Sequence, residues 1–153
     1  MSGTYFVSPN DWLAIIFRLC LALLIGAIIG WERQLKHKPA GLRTYMLVSF
    51  GSALFVLIPL QLTAAQDSLN EISRVIQGIT AGVGFLGAGQ ILRESRHELG
   101  SVEVRGLTSA AAIWVAAALG IAAGCGLWQM GLIGAVLSWV VLKVFKELEK
   151  RDL

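Results

Sequence analysis

The sequence predicts an all-α integral membrane protein, a bundle of about five transmembrane helices, and three observations support this. Of its 153 residues, 56% are hydrophobic and only 15% are charged, whereas a soluble domain carries about 25% charged residues. Second, the apolar residues are gathered into long runs without charge. Third, Lys and Arg are concentrated in alternate segments between those runs. Together these features are typical of a multi-pass protein.

The uncharged runs set the predicted helices. Residues 12–31 are apolar except for Arg18, residues 44–66 contain no charge, and neither do the 18 residues 75–92. The 37 residues 106–142 would form one helix about 55 Å long, too long for a hydrocarbon core of about 30 Å. They must therefore turn back, and the cluster Gly124-Cys125-Gly126 is suited to that turn. The predicted helices are 12–31, 43–63, 75–93, 106–123 and 127–144, in a single domain over 1–153.

The basic residues predict the orientation. The first loop, the third loop and the C-terminal tail carry four, three and four of the 13 Lys and Arg residues, and the segment before residue 12 carries none. With five spans, all three basic segments fall on one membrane face. The positive-inside rule makes that face cytoplasmic, with the N-terminus outside and the C-terminus inside.

A glycine motif in the third run has two interpretations. Residues 82–87 read G-V-G-F-L-G, which matches a dinucleotide-binding fingerprint. That fingerprint requires a strand before it and a helix that opens at it. Here the glycines lie within an uncharged helical span, so we expect a packing role.

Small residues recur at helical spacing in three of the predicted helices. Such spacing lets helix backbones approach closely in lipid, although each glycine costs up to about 1 kcal/mol of helix propensity in water. We therefore expect the glycine faces to be buried against protein, either within the chain or across a dimer. The candidate packing residues are Gly26, Gly30, Gly78, Gly82, Gly89, Gly120 and Gly124.

Polar residues gather at the cytoplasmic ends of the predicted helices. One interpretation is interfacial anchoring with helix capping. The alternative is a polar site at the membrane boundary, because charges that pair there are often functional. The candidate residues are Glu32, Arg33, Arg43, Thr44, Arg105 and Thr108.

A second polar set is predicted toward the outer side. Arg18 lies about 9 Å inside the first helix, and it either snorkels outward or pairs with an acid of the outer loop. The candidate outer set is Arg18, Asp67, Arg74 and Gln77.

The sequence offers little for catalysis or metal binding. His37 and His97 have no neighbouring His or Cys with ligand spacing, and no ATP-hydrolysing motif or nucleophile–base set is evident. We expect no enzyme activity, no cofactor, no metal site and no nucleic-acid partner.

Four ordered motifs carry a resemblance to a known family. They are G-W-E-R at residues 30–33, P-A-G-L-R-T at 39–44, G-V-G-F-L-G-A-G at 82–89 and R-G-L-T-S-A-A at 105–111. Together they resemble the MgtC/SapB family of bacterial inner-membrane proteins. The last motif reads L-T-S where that family commonly reads L-T-T, a change that keeps a hydroxyl group.

The resemblance implies a small bundle of about five helices in the bacterial inner membrane. It also implies a role in adaptation to low magnesium, and some members are described as restraining the F-type ATP synthase. The chain resembles the short form without a soluble C-terminal domain.

Two functions follow as hypotheses. The first is a non-enzymatic modulator that binds another membrane complex, or a second copy of itself, through its glycine faces. The second is a transporter or channel for a cation linked to magnesium, or for a small solute, built around the polar residues near the membrane.

Overall fold

The structure, a computed structural model, describes residues 11–62, 68–95 and 105–145, and every element in these ranges is helical. The helices are α1 (Trp12–Leu35), α2 (Leu42–Leu62), α3 (Ser68–Ser95), α4 (Leu107–Gly124) and α5 (Trp128–Val140). A π-helical turn, Val141–Phe145, continues α5. The all-helical class predicted from the composition is confirmed.

Two helices are longer than predicted. α1 continues to Leu35, so Glu32 and Arg33 lie within its last turn and not beyond its end. α3 begins at Ser68 and includes a polar first turn before the apolar run. Helix hydrogen bonding does not stop where apolar residues stop, so the uncharged run marked the membrane segment and not the helix ends.

The fifth helix differs from the prediction in length. Four helices, α1 to α4, are long and apolar enough to cross a membrane. The fifth apolar helix, Trp128–Val144, is shorter than 18 residues and begins one residue later than predicted, after the turn at residues 125–127. The described residues thus form five α-helices, four of which are of membrane length.

Contacts between helix ends show which ends lie together. The Lys36 Nζ donates to the carbonyl of Leu142 at 3.2 Å, and the Tyr45 hydroxyl donates to the carbonyl of Ser109 at 3.2 Å. α1 and α5 therefore end where α2 and α4 begin. We call this end of the bundle the basic face; its described cations are Arg33, Lys36, Lys38, Arg43, Arg105 and Lys143.

The packed core joins α1, α2 and α4 through backbone contacts. A Cβ added to Gly26 would lie 2.5 Å from the carbonyl oxygen of Tyr45, and one added to Gly124 would lie 2.8 Å from that of Ala53. Gly30 meets the backbone of Leu42, and Gly120 meets that of Ser49 in the same way. α2 is thus held between two glycine faces, which is the close approach that small residues permit in lipid.

The glycine face of α3 lies apart from this core. At Gly78, Gly82 and Gly89, no heavy atom of the described chain lies within 4 Å of the position a Cβ would take. α3 packs against α4 by a different face, where Gly87 approaches Ala110. The expected burial of Gly78, Gly82 and Gly89 within the chain is therefore not observed among the described residues.

The chain reverses between α4 and α5 through a left-handed glycine. Gly126 has φ of 80° and its N–H donates to the carbonyl of Ala123, while the N–H of Leu127 donates to that of Ala122. This pattern ends a helix by satisfying its last carbonyls. The turn lies at the predicted glycine cluster.

A matched pair of glycine substitutions tests the packing. We expect Gly120→Ala to destabilise the protein by about 1–3 kcal/mol, because the new methyl group meets the Ser49 backbone. Gly89→Ala, with open space around it, should be neutral or stabilising because alanine favours helix. Unfolding of both variants in detergent micelles measures this, and equal stabilities would contradict the packing described.

Candidate functional site at the basic face

A buried group of charges lies in the last turn of α1. Arg33 is 2% exposed and Glu32 is 4% exposed. The Arg33 Nε donates to the Glu32 Oε2 at 2.5 Å, and the Lys36 ammonium forms an ion pair with the Glu32 Oε1. One carboxylate therefore neutralises part of the charge of two cations.

The Lys36 side chain also connects two helix ends. Its ammonium lies against Glu32 on α1 and donates to the carbonyl of Leu142 in the turn that follows α5. A cation near the C-terminal ends of two helices complements their dipoles. Lys36 was missed in the sequence, although its position four residues after Glu32 is the spacing of a helical ion pair.

The other predicted boundary residues lie elsewhere on the basic face. Arg43 and Thr44 are exposed in the first turn of α2, where they line a groove toward α3. Arg105 and Thr108 are exposed at the start of α4. Among the described contacts, Glu32 pairs with Arg33 and Lys36 and not with Arg43 or Arg105. The structure thus places the six predicted residues at one end of the bundle, at the end of α1 and at the starts of α2 and α4.

Hydroxyl and amide groups are also buried between the helices. Tyr45 is fully buried and its hydroxyl donates to the Ser109 carbonyl, which joins α2 to α4. Ser49 and Gln90 are buried, and the Ser49 Oγ and Gln90 Nε2 have no hydrogen-bond partner in the described chain. These side chains gave no signal in the sequence, because single hydroxyl or amide residues are common in apolar helices.

Arg18 lies at the opposite end of the bundle and closes α4. It is 6% exposed, and its Nη1 donates to the carbonyl of Gly124 at 2.8 Å. That carbonyl is one of the last in α4, where the negative end of the helix dipole favours a cation. Arg74 and Gln77 are exposed on α3, and Asp67 lies outside the described residues. The described contact of Arg18 is therefore with the α4–α5 turn.

A groove separates α2 from α3 on the side of the basic face. Its volume is about 740 Å³, and its walls are apolar except for Arg43, Thr44 and Ser52. Glycine forms part of both walls, with Gly51 on α2 and Gly78 and Gly82 on α3. A second concave feature, between α1 and the C-terminal half of α2, is smaller, at about 270 Å³.

Residues 11–62, 68–95 and 105–145 contain no group of three His, Cys, Asp or Glu side chains that could hold an ion. The fingerprint-like glycines of residues 82–87 lie in the middle of α3, not at a strand-to-helix turn.

The four membrane-length apolar helices and their glycine contacts define a multi-pass membrane protein built as a small helical bundle. The sequence model of the MgtC family matches residues 19–151. The chain belongs to the MgtC family, as the four sequence motifs indicated.

Similar proteins of other bacteria agree with this membership. The chain is 51% identical to Protein SrpB of Synechococcus elongatus over 151 residues, which cover 95% of this chain and 82% of SrpB. It is 41% identical to the putative magnesium transporter YhiD of Escherichia coli, covering 89% of this chain and 62% of YhiD. It is 40% identical to Protein MgtC of Salmonella typhimurium, covering 80% of this chain and 48% of MgtC. No solved structure matches the chain.

The charge group of α1 gives a testable stability difference. Glu32→Gln leaves Arg33 and Lys36 without their carboxylate, and breaking a buried ion pair in this way costs about 3 kcal/mol or more. We expect a lower unfolding midpoint in micelles. Glu71→Gln, at an exposed glutamate on α3, is the matched control and should unfold like the parent. A Glu32→Gln protein as stable as the control would contradict this assignment.

The role of Arg18 at the α4–α5 turn is tested separately. Arg18→Met keeps an apolar stem but removes the donor to the Gly124 carbonyl, at a cost of about 1–3 kcal/mol. Arg74→Met changes an exposed arginine on α3 and serves as the control. We expect only the Arg18 variant to show a lower unfolding midpoint and faster proteolysis near residues 125–127. Equal behaviour of the two variants would show that the cap contributes nothing.

Proposed function

We propose that this protein is a non-enzymatic modulator of another membrane complex in the bacterial inner membrane, acting in adaptation to limiting magnesium. In this proposal the basic face is cytoplasmic, in accord with the positive-inside rule. The resemblance of the sequence to the MgtC/SapB family makes the F-type ATP synthase the first complex to test.

The observation that carries the proposal is the open glycine face of α3. Gly78, Gly82 and Gly89 follow helical spacing, yet have no neighbour within 4 Å in the described chain. α3 is also the membrane-length helix with the smallest buried share. A row of glycines destabilises a helix, and the close approach of another backbone would offset that cost. A helix of a partner protein or of a second copy would supply that packing.

Transport of a magnesium-linked cation is the second candidate, and one relative bears the name putative magnesium transporter. The buried carboxylate nearest the basic face, Glu32, is already matched by two cations. A cation pathway normally exposes unmatched oxygen ligands to its ion. The described geometry therefore gives more support to the modulator.

A paired measurement in a deletion strain held at limiting magnesium separates the two functions. For a modulator that restrains energy conversion, cellular ATP should rise while total cellular magnesium stays unchanged. A fall in magnesium that precedes a change in ATP would contradict the modulator and favour transport. Restoring the gene should reverse either result.

The partner surface is tested by substitution on α3. Gly89→Leu places a bulky side chain on the proposed surface and should abolish co-purification of F-type ATP synthase subunits from solubilised membranes. Gly84→Leu is the matched control, because Gly84 also has open space around it but points about 140° away around the helix. Equal recovery of the synthase with both variants would exclude the Gly89 face as the contact.

A further inference from the structure

The groove between α2 and α3 is closed at one end and open at the other. Away from the basic face, Val56, Leu57 and Leu60 of α2 pack with Ile72 and Val75 of α3. Toward the basic face the helices leave the apolar groove of about 740 Å³. With the basic face at the membrane boundary, as the positive-inside rule predicts, the groove opens there and its closed end lies inside the membrane.

The length of the groove matches one leaflet. Its walls extend from Thr44 to Phe55 on α2 and from Val75 to Leu86 on α3, which is about 17 Å along each helix at 1.5 Å per residue. The hydrocarbon core is about 30 Å thick, so the groove reaches from the boundary to near the middle of the bilayer. A transmembrane helix of a partner would extend well beyond it, whereas the acyl chains of one lipid end there.

The mouth of the groove carries positive charge. Arg43 and Thr44 line it in the first turn of α2, which contains no acidic residue. Among the described residues, Arg43 takes part in neither of the ion pairs, which are formed by Glu32 with Arg33 and Lys36. A guanidinium, a hydroxyl and the N-terminal end of a helix together suit a phosphate group.

We propose that this groove binds one anionic phospholipid from the leaflet at the basic face. Arg43 and Thr44 hold the phosphate, and the acyl chains lie between α2 and α3. Gly51, Gly78 and Gly82 leave room for the chains, since a larger side chain at these positions would project into the groove. An anionic lipid is favoured because the mouth has a cation and no described carboxylate, and the cytoplasmic leaflet is rich in such lipids.

The groove shares Gly78 and Gly82 with the open glycine face of α3, but Gly89, the residue at which the partner contact is tested, does not line the groove. Its lipid would fill the space between α2 and α3 and hold α3 in position. Loss of lipid binding without loss of partner recovery would separate the two proposals, and so would the reverse.

Native mass spectrometry of the whole protein in micelles, titrated with phosphatidylglycerol or phosphatidylcholine, tests the site. The wild type should retain one phosphatidylglycerol in preference to phosphatidylcholine. Arg43→Gln should weaken phosphatidylglycerol binding by about tenfold and leave phosphatidylcholine binding unchanged, since it removes a charged hydrogen bond to the phosphate. Lys143→Gln, at an exposed lysine of the same face outside the groove, is the charge control.

A second variant tests the apolar part of the site. Gly51→Leu should weaken binding of both lipids by filling the groove from α2, whereas Gly84→Leu, outside the groove, should not. Micellar unfolding of Gly51→Leu confirms that the variant is folded. Equal lipid binding by Arg43→Gln, Lys143→Gln and the wild type would overturn the proposal.

Cross-linking distinguishes a lipid from a second copy in the groove. Gly51→Cys in a Cys20→Ser, Cys125→Ser background should remain monomeric under mild oxidation in native membranes. Efficient disulfide-linked dimers would show that the groove is an interface between copies, and would overturn the lipid site.

Discussion

The backbone contact of α2 with both α1 and α4 is the constraint on which the rest of the structure depends. Gly26 and Gly30 on one side, and Gly120 and Gly124 on the other, bring α2 to distances that a Cβ would forbid. In a bilayer, helices gain little from leaving lipid, so such close packing is a main source of association. This contact fixes the register of the three helices and therefore the neighbours of every buried polar group.

The hydrogen bonds of Arg18 and Lys36 follow from that register. Arg18 finds the Gly124 carbonyl because α4 ends beside the first half of α1, and Lys36 finds the Leu142 carbonyl because α5 ends beside the last turn of α1. Both cations lie at the C-terminal end of a helix, where the dipole favours positive charge. α3 is outside this arrangement, and its looser packing against α2 leaves a groove between these two helices and an open glycine face.

The sequence predicted the positions of the helices better than it predicted which helices pack together. Charge-free runs and glycine clusters are local signals, and they located all five helices and the turn at residues 124–126. Gly26 and Gly30 have the same four-residue spacing as Gly78 and Gly82, yet only the first pair is packed. The spacing shows that one face of a helix carries only small residues. Which helix packs against that face depends on how helices distant in sequence assemble. The partner of Arg18 could not be predicted for the same reason. The pairing of Glu32 with Lys36 could have been predicted, because the two residues are four apart in one helix.

The central claim is that α1, α2 and α4 form a closed unit while α3 stands away from α2 at the basic face. Dipolar electron spin resonance in lipid nanodiscs tests it most directly, with labels at Leu47→Cys and Leu86→Cys across the groove, in a background without Cys20 and Cys125. The account predicts that the distance between the two labels in the bilayer is longer than for two helices in direct contact. A short distance, as for helices in direct contact along the whole of α2 and α3, would contradict it.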